Sequence, residues 1–258
     1  MAYRVATTIS GNDLFSNCRK SLLVEDKYIL RLFLKNKNAI FTYASQAFNI
    51  TADFDGTFTD SESGIEIARL AGREKEAKVI YHNLLSDCKR IVDEAKTTGQ
   101  LIREVENSYR KHLTEGAKLL KGSPSSILSE VQCKPNDNFL KIMERAKEKN
   151  GLRIASYTDE EIVRSFLEQN KESIPINHDI SCSKLEAVGG SLTGMFSKIP
   201  FKTDGYVGGD VFEDSIGGIK LCDEAHRKGY QVHVVRDGDK ARLLEGSLRK
   251  FDIDYSYL

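Results

Sequence analysis

The pattern of apolar and polar positions changes character twice along the chain. Up to about residue 46 it is ambiguous: Tyr28 to Phe33 (YILRLF) and Ala39 to Tyr43 (AIFTY) have strand-like composition, but their lengths leave the assignment open. Phe48 to Asp53 (FNITAD) is a short β-compatible run that ends in an acidic, glycine-containing turn. From residue 63 to about 148 apolar residues recur every three or four positions. Val79, Ile80, Leu84, Cys88, Ile91, Val92 and Ala95 form one stripe, and Ile102, Val105, Tyr109, Leu113, Ala117 and Leu120 form another. Gly122-Ser123-Pro124 breaks the second stripe, and a further helix fits Asn138 to Lys147. Beyond residue 150 short strands alternate with helices. Leu152 to Ser156, Ile176 to Ser181 and Tyr230 to Val235 read as strands, and Glu160 to Glu168 and Ile216 to Arg227 as helices. Leu185 to Thr193 reads as a hairpin turning on Gly189-Gly190. That alternation predicts a doubly wound α/β core with a parallel sheet, interrupted by a helical insert.

Composition narrows the function class. In 258 residues Lys plus Arg equals Asp plus Glu, at 38 each, which argues against a general nucleic-acid binder. No run approaches 18 apolar residues, and the first residues lack the pattern of a secretory signal, so no membrane association is expected. Cys18, Cys88, Cys133, Cys182 and Cys222 are scattered, odd in number and without a CxxC spacing. Reduced thiols in a cytoplasmic protein are the expectation, rather than a disulfide framework or a zinc site.

Three local patterns carry chemistry. In Asp53-Phe54-Asp55-Gly56-Thr57 the two carboxylates stand two residues apart, and in an extended segment such residues point the same way. Gly56 allows a sharp turn that brings backbone N–H groups towards an anion. The same five residues also fit an Asx-rich surface turn. In Gly209-Asp210-Val211-Phe212-Glu213-Asp214 another apolar strand, leading in from Tyr206, ends in the carboxylate of Asp210, with a second carboxylate, Asp214, four residues on. Two such strands suggest one oxygen-rich site for a hard cation such as magnesium. Ser156, at the end of LRIAS, offers a hydroxyl to a phosphate oxygen, while Thr158 fits the N-cap of the following helix.

These three patterns, in this order, resemble motifs one, two and four of the haloacid dehalogenase superfamily. KLEAVGGSLTG (184–194) and LLKGSP (119–124) resemble the phosphoserine phosphatase branch in particular. The resemblance implies a magnesium-dependent phosphatase acting on a small phosphorylated metabolite. In that reading Asp53 is the nucleophile, Asp55 the general acid and base, and Ser156 a ligand of the phosphoryl group. Asp53, the backbone carbonyl of Asp55, Asp210 and Asp214 hold the metal, while Gly56 and Thr57 line the phosphate. The superfamily also needs a motif-three lysine, for which Lys184, Lys198 and Lys202 are candidates. If the chain after Lys198 pairs with the strand rising to Asp210, Lys198 lies beside the site and Lys202 about 10 Å below it, at ~3.3 Å per residue; Lys198 is therefore expected. Glu62 falls where the branch meets a substrate amine, and Gly116 where it places an arginine for the substrate carboxylate. A neutral or cationic leaving group is expected in preference to an anionic one. By this reading 46–62 and 149–258 form the α/β core, 63–148 a helical cap, and 1–45 an unassigned extension. A phosphotransferase, a phosphoprotein phosphatase and a non-catalytic binding protein of the same fold remain alternatives.

Overall fold

The computed structural model describes residues 50–146, 151–174, 178–235 and 238–258. The candidate strands at 28–33 and 39–43, the N-terminal extension and Cys18 lie outside them. A seven-stranded sheet organises the described residues, in the order β4-β3-β2-β1-β5-β6-β7. Its strands are β1 (Ile50–Ala52), β2 (Leu152–Asp159), β3 (His178–Val188), β4 (Ser191–Lys198), β5 (Asp210–Glu213), β6 (Val232–Val234) and β7 (Ser256–Tyr257). Every neighbouring pair is parallel except the β3–β4 hairpin. Gly189 and Gly190 turn that hairpin with φ of 59° and 80°, the conformation a two-residue type I′ turn requires.

The central strand β1 is buried on both faces, Thr51 included. From β1 the chain moves outward through β2, β3 and β4, then returns to β5 on the other side of β1. The strand order therefore reverses at β1, and ligand sites in open α/β sheets form at such points, beyond the C-terminal strand ends.

Alternating side chains of β5 feed two different cores. Phe212 belongs to an aromatic layer. Phe139 of α5 (Asp137–Ala146) meets it edge-on at 5.4 Å and Phe58 at 4.8 Å, and Phe166 of α6 (Glu160–Gln169) meets Phe54 at 5.1 Å. Val211 belongs to an aliphatic layer with Val232, Val234 and Ile219 of α7 (Ile219–Arg227), and with Leu244 and Leu248 of α8 (Asp239–Lys250). Helix α5, within the stretch expected to be cap, thus packs on the sheet.

Helices α1 (Ser63–Leu70), α2 (Glu74–Glu94) and α3 (Thr98–Leu119) follow β1, and the short α4 (Ile127–Glu130) precedes α5. The apolar stripes predicted for this region become one largely buried face, except that Val79, at its start, is exposed. Cys88, Val92, Leu101 and Val105 join the aliphatic layer, while the opposite faces are charged. Leu101 is fully buried, so truncating it to alanine should cost about 2–5 kcal/mol. Thr97 caps α3 by accepting a hydrogen bond from the Gln100 N–H at 3.1 Å.

The pairing expected between Lys198 and the strand rising to Asp210 does not form. Strand β4 pairs with β3 at the edge of the sheet, its start also bridged to residues 122–124, and Lys198 stands exposed opposite Lys184. Residues 199–209 then run without regular secondary structure to the start of β5.

Candidate active site

Asp53 follows β1 directly. Its N–H donates to the Phe212 carbonyl at 3.0 Å, holding the turn to the neighbouring β5. Its Oδ1 accepts from the Phe54 N–H at 2.8 Å, and its Oδ2 lies 2.6 Å from the Lys202 ammonium. Lys202 is 4% exposed and also meets Glu213 at 2.9 and 3.2 Å. Burial opposes its charge, but the carboxylates of Asp53 and Glu213 outweigh burial and hold its pKa well above the ordinary lysine value. Lys202, rather than Lys198, is therefore the lysine beside Asp53. It arrives from the irregular 199–209 connection, which strand-register reasoning could not place.

Asp55 turns towards α1. Its Oδ1 accepts from the Ser63 N–H at 3.2 Å, and its Oδ2 from the hydroxyls of Ser63 at 2.7 Å and Thr158 at 3.0 Å. Burial first, then the nearby Glu62, raise its pKa to about 7, with Ser63 and Lys240 opposing. A carboxyl group poised there can both give and take a proton near neutral pH. Thr158 thus serves Asp55 and not the helix. The N-cap of α6 is Asp159, which accepts from Glu161 N–H at 2.9 Å and from Leu185 N–H at 2.7 Å. Ser156 is buried two residues earlier on β2, with its hydroxyl donating to Thr158 Oγ1 at 3.2 Å.

Gly56 adopts φ +80°, and a Cβ built there would stand 1.8 Å from Asp214 Oδ2. The turn and the seat of the Asp214 carboxylate therefore require the same missing atom. Thr57 is fully buried and its hydroxyl has no hydrogen-bond partner.

The register of β5 decides which of its carboxylates reach the site. Ile50 pairs with Asp210 and Ala52 with Phe212, so Glu213 and Asp214 come level with Asp53. Asp210 sits at the opposite end of the strand, where its Oδ1 accepts from Gln231 N–H at 3.0 Å. Its expected role as a metal ligand does not fit that position. Ligand oxygens of Asp53, Glu213 and Asp214 lie within 4.8 Å of one another. Asp214 Oδ1 is buried and without a hydrogen-bond partner. An all-oxygen set with an unsatisfied carboxylate oxygen suits magnesium. Burial first, and then the charges of Asp53 and Glu62, raise the Asp214 pKa to about 6, against the pull of Lys240.

Lys240, at the start of α8, had no distinguishing signal in the sequence. Its ammonium lies 2.7 Å from Glu62 Oε1 and 2.9 Å from Asp214 Oδ2. Burial disfavours its charge, but Asp214 and Glu62 hold its pKa well above the usual value. Above Asp53, Asp55 and Ser156 a cleft opens between the sheet and helices α1–α3, lined also by Glu62, Gly116, Lys202 and Lys240. Arg110, six residues before Gly116 on α3, instead stacks on Phe201 at 4.2 Å and donates to the Ile199 carbonyl at 3.2 Å.

No family model matches the sequence, and no curated protein matches it. Solved structures do. A substrate-bound phosphoserine phosphatase aligns with a TM-score of 0.55 and 19% identity, over 81% of this chain and 92% of its own. A phospho-aspartyl intermediate analogue of phosphoserine phosphatase gives 0.53 and 19%, over 82% and 93%. A HAD family hydrolase from Salmonella enterica subsp. enterica serovar Typhi gives 0.50 and 17%, over 87% and 68%. The fold is the one shared by these phosphoserine phosphatase and HAD family hydrolase structures. At this identity the likeness concerns the fold. That fold explains why three carboxylates separated by some 160 residues of sequence converge, since β1 and β5 are adjacent parallel strands ending at one level. Among the described residues Cys88, Cys133, Cys182 and Cys222 are free thiols, and no helix is long and apolar enough to cross a membrane.

Proposed function

We propose that the protein hydrolyses a small phosphomonoester with magnesium, through an aspartyl-phosphate formed on Asp53. One observation carries this reading. A carboxylate at the end of the central strand faces a buried ammonium 2.6 Å away, while the neighbouring carboxyl group is held by two hydroxyls with its pKa raised to about 7. The first group suits a nucleophile and the second a proton carrier.

In the first step Asp53 attacks phosphorus while Asp55 gives its proton to the leaving oxygen, and the bond from phosphorus to that oxygen breaks. In the second, Asp55 takes a proton from water, which attacks the acyl phosphate and restores Asp53. Ser63 and Thr158 keep Asp55 oriented through both steps. Lys202 offsets the negative charge of Asp53 and of the transferred group. Ser156 is near enough to the end of β2 to bind a phosphoryl oxygen. Asp53 and Asp214 would hold the metal, with the backbone carbonyl of Asp55 that the family resemblance adds. Magnesium bound there supplies charge neutralisation for attack on a phosphate dianion. Helices α1–α3 act as a cap over the leaving group.

The test is phosphate release from a panel of phosphomonoesters, with magnesium or with chelator, by the wild type and by Asp53→Asn. Release should require magnesium, and mass spectrometry of quenched wild-type enzyme should find the phosphoryl label on Asp53. Undiminished release in chelator, or an Asp53→Asn variant within tenfold of wild type, refutes the mechanism.

A further inference from the structure

The cleft has an uneven supply of charge. Among the described residues that line it, Lys202 and Lys240 are the only lysines or arginines. Both are already engaged, Lys202 by Asp53 and Glu213, and Lys240 by Glu62 and Asp214. His112, also on the wall, has Nδ1 2.9 Å from the Ser108 carbonyl and Nε2 3.7 Å from Asp87. Gly116 presents no side chain, and nothing lies within 4 Å of a Cβ built on it. A substrate carboxylate therefore finds no uncommitted cation.

A substrate amine fares no better. Glu62 is the carboxylate placed to meet it, and Lys240 already fills that role at 2.7 Å. An incoming ammonium would have to displace a buried ion pair or stand beside a like charge. The remaining walls are mainly apolar, with Ile80, Leu84, Leu113, Leu120, Leu185 and Phe196 among them, interrupted by uncharged hydroxyls such as those of Tyr81, Tyr109 and Ser215 and by Asp159, which already accepts from the Glu161 and Leu185 N–H groups.

We infer that the leaving group is an uncharged, largely apolar alcohol, aryl or branched alkyl, and that Lys240 is a built-in counter-ion excluding substrate amines from Glu62. The inference rests on the phosphatase reading of the site, and it narrows the expectation of a neutral or cationic leaving group, drawn from Glu62 and Gly116, to a neutral one. Apolar surface moved from water into the cleft favours such a substrate, whereas a charged one loses hydration without gaining a partner.

Non-hydrolysable phosphonates separate recognition from turnover. Calorimetric titration of the full chain, saturated with magnesium, should give benzylphosphonate roughly tenfold or more tighter binding than 2-aminoethylphosphonate or 2-amino-4-phosphonobutanoate. Equal or tighter binding of either charged compound overturns the inference, as does failure of all three to bind. In Lys240→Met the affinity for 2-aminoethylphosphonate should rise roughly tenfold while that for benzylphosphonate changes less than about threefold. No gain for the amine in folded variant removes the counter-ion role; if the variant does not fold, the wild-type comparison still decides the substrate class. Phosphate release from benzyl phosphate is scored separately. Tight benzylphosphonate binding without hydrolysis would refute the phosphatase reading while leaving the recognition intact.

Discussion

Replacing Lys202 with methionine removes one charge and keeps most of the side-chain volume. In the folded protein that ammonium stands 2.6 Å from Asp53 and 2.9 Å from Glu213, and all three side chains are buried. Without it two carboxylates face each other away from water. Removing one partner of a buried ion pair typically costs about 3–5 kcal/mol, and that loss should appear in urea unfolding at pH 7. Turnover should fall separately, by about 10²–10³-fold, the usual effect of removing one preorganised electrostatic group from a site. The two effects can be divided. Lys202→Met combined with Glu213→Gln neutralises both ends of one pair and should recover a large part of the stability, yet recover no turnover, because Asp53 still lacks its cation. Lys198→Met is the control. Lys198 is exposed on an edge strand, so stability should change by less than about 0.5 kcal/mol and kcat/KM by less than about threefold. If Lys198→Met abolishes turnover and Lys202→Met leaves it within tenfold of wild type, the electrostatic reasoning fails.

Three further outcomes are expected. Asp214→Asn should raise the magnesium concentration needed for half-maximal turnover at least about tenfold, whereas Asp210→Asn, at the other end of β5, should leave it unchanged; the reverse order would return the metal to Asp210. Asp159→Ala, which strips acceptors from the Glu161 and Leu185 N–H groups, should cost about 2–3 kcal/mol in unfolding, while Thr158→Val should spare stability and lower kcat about tenfold; a stability loss for Thr158→Val as large as that for Asp159→Ala would undo this division. His233 is fully buried, and burial lowers its pKa from 6.5 to about 4. The native state therefore binds fewer protons than the unfolded chain between those values, so its contribution is present above pH 6.5 and is lost as pH falls towards 4. At 1.36 kcal/mol per pH unit the loss is about 3 kcal/mol. His233→Phe should flatten that part of the stability–pH curve in urea titrations, and an unchanged slope between pH 6.5 and 4.5 would exclude the histidine as its source.

The parts of the site that could be read in the sequence are the local ones. Asp53, Asp55 and Gly56 lie within one turn, and a strand ending in such a turn announces its chemistry without reference to the rest of the chain. The hairpin over Gly189-Gly190 was legible for the same reason, because positive φ at two successive positions has few residues to choose from. What failed depended on register. GDVFED offers carboxylates at 210, 213 and 214, and only the pairing of Ala52 with Phe212 decides that the last two reach Asp53. Lys202 was misplaced because a regular strand was assumed where the chain runs irregularly. Thr158 was read as the N-cap because a capping hydroxyl and a capping carboxylate stand side by side before Glu160, and it is Asp159 that caps the helix. Lys240 had no local mark at all; its significance exists only once α8 has packed.

The position of β1 bears on how the molecule comes to exist. This three-residue strand is the middle of the sheet, yet its partners on the two sides, Leu152 and Asp210 opposite Ile50, are made long after it. Neither pairing is local, so closing either one sacrifices the freedom of a long intervening loop before any ladder forms. The α2–α3 helix pair and the β3–β4 hairpin have neighbouring partners and can assemble first. During synthesis Phe54 and Phe58, which end up fully buried, must wait for Phe139, Phe166 and Phe212 to emerge. Asp53 is thus attached to a segment whose partners are made long after it, and the hazard of aggregation falls on the nascent chain before the carboxylates have converged.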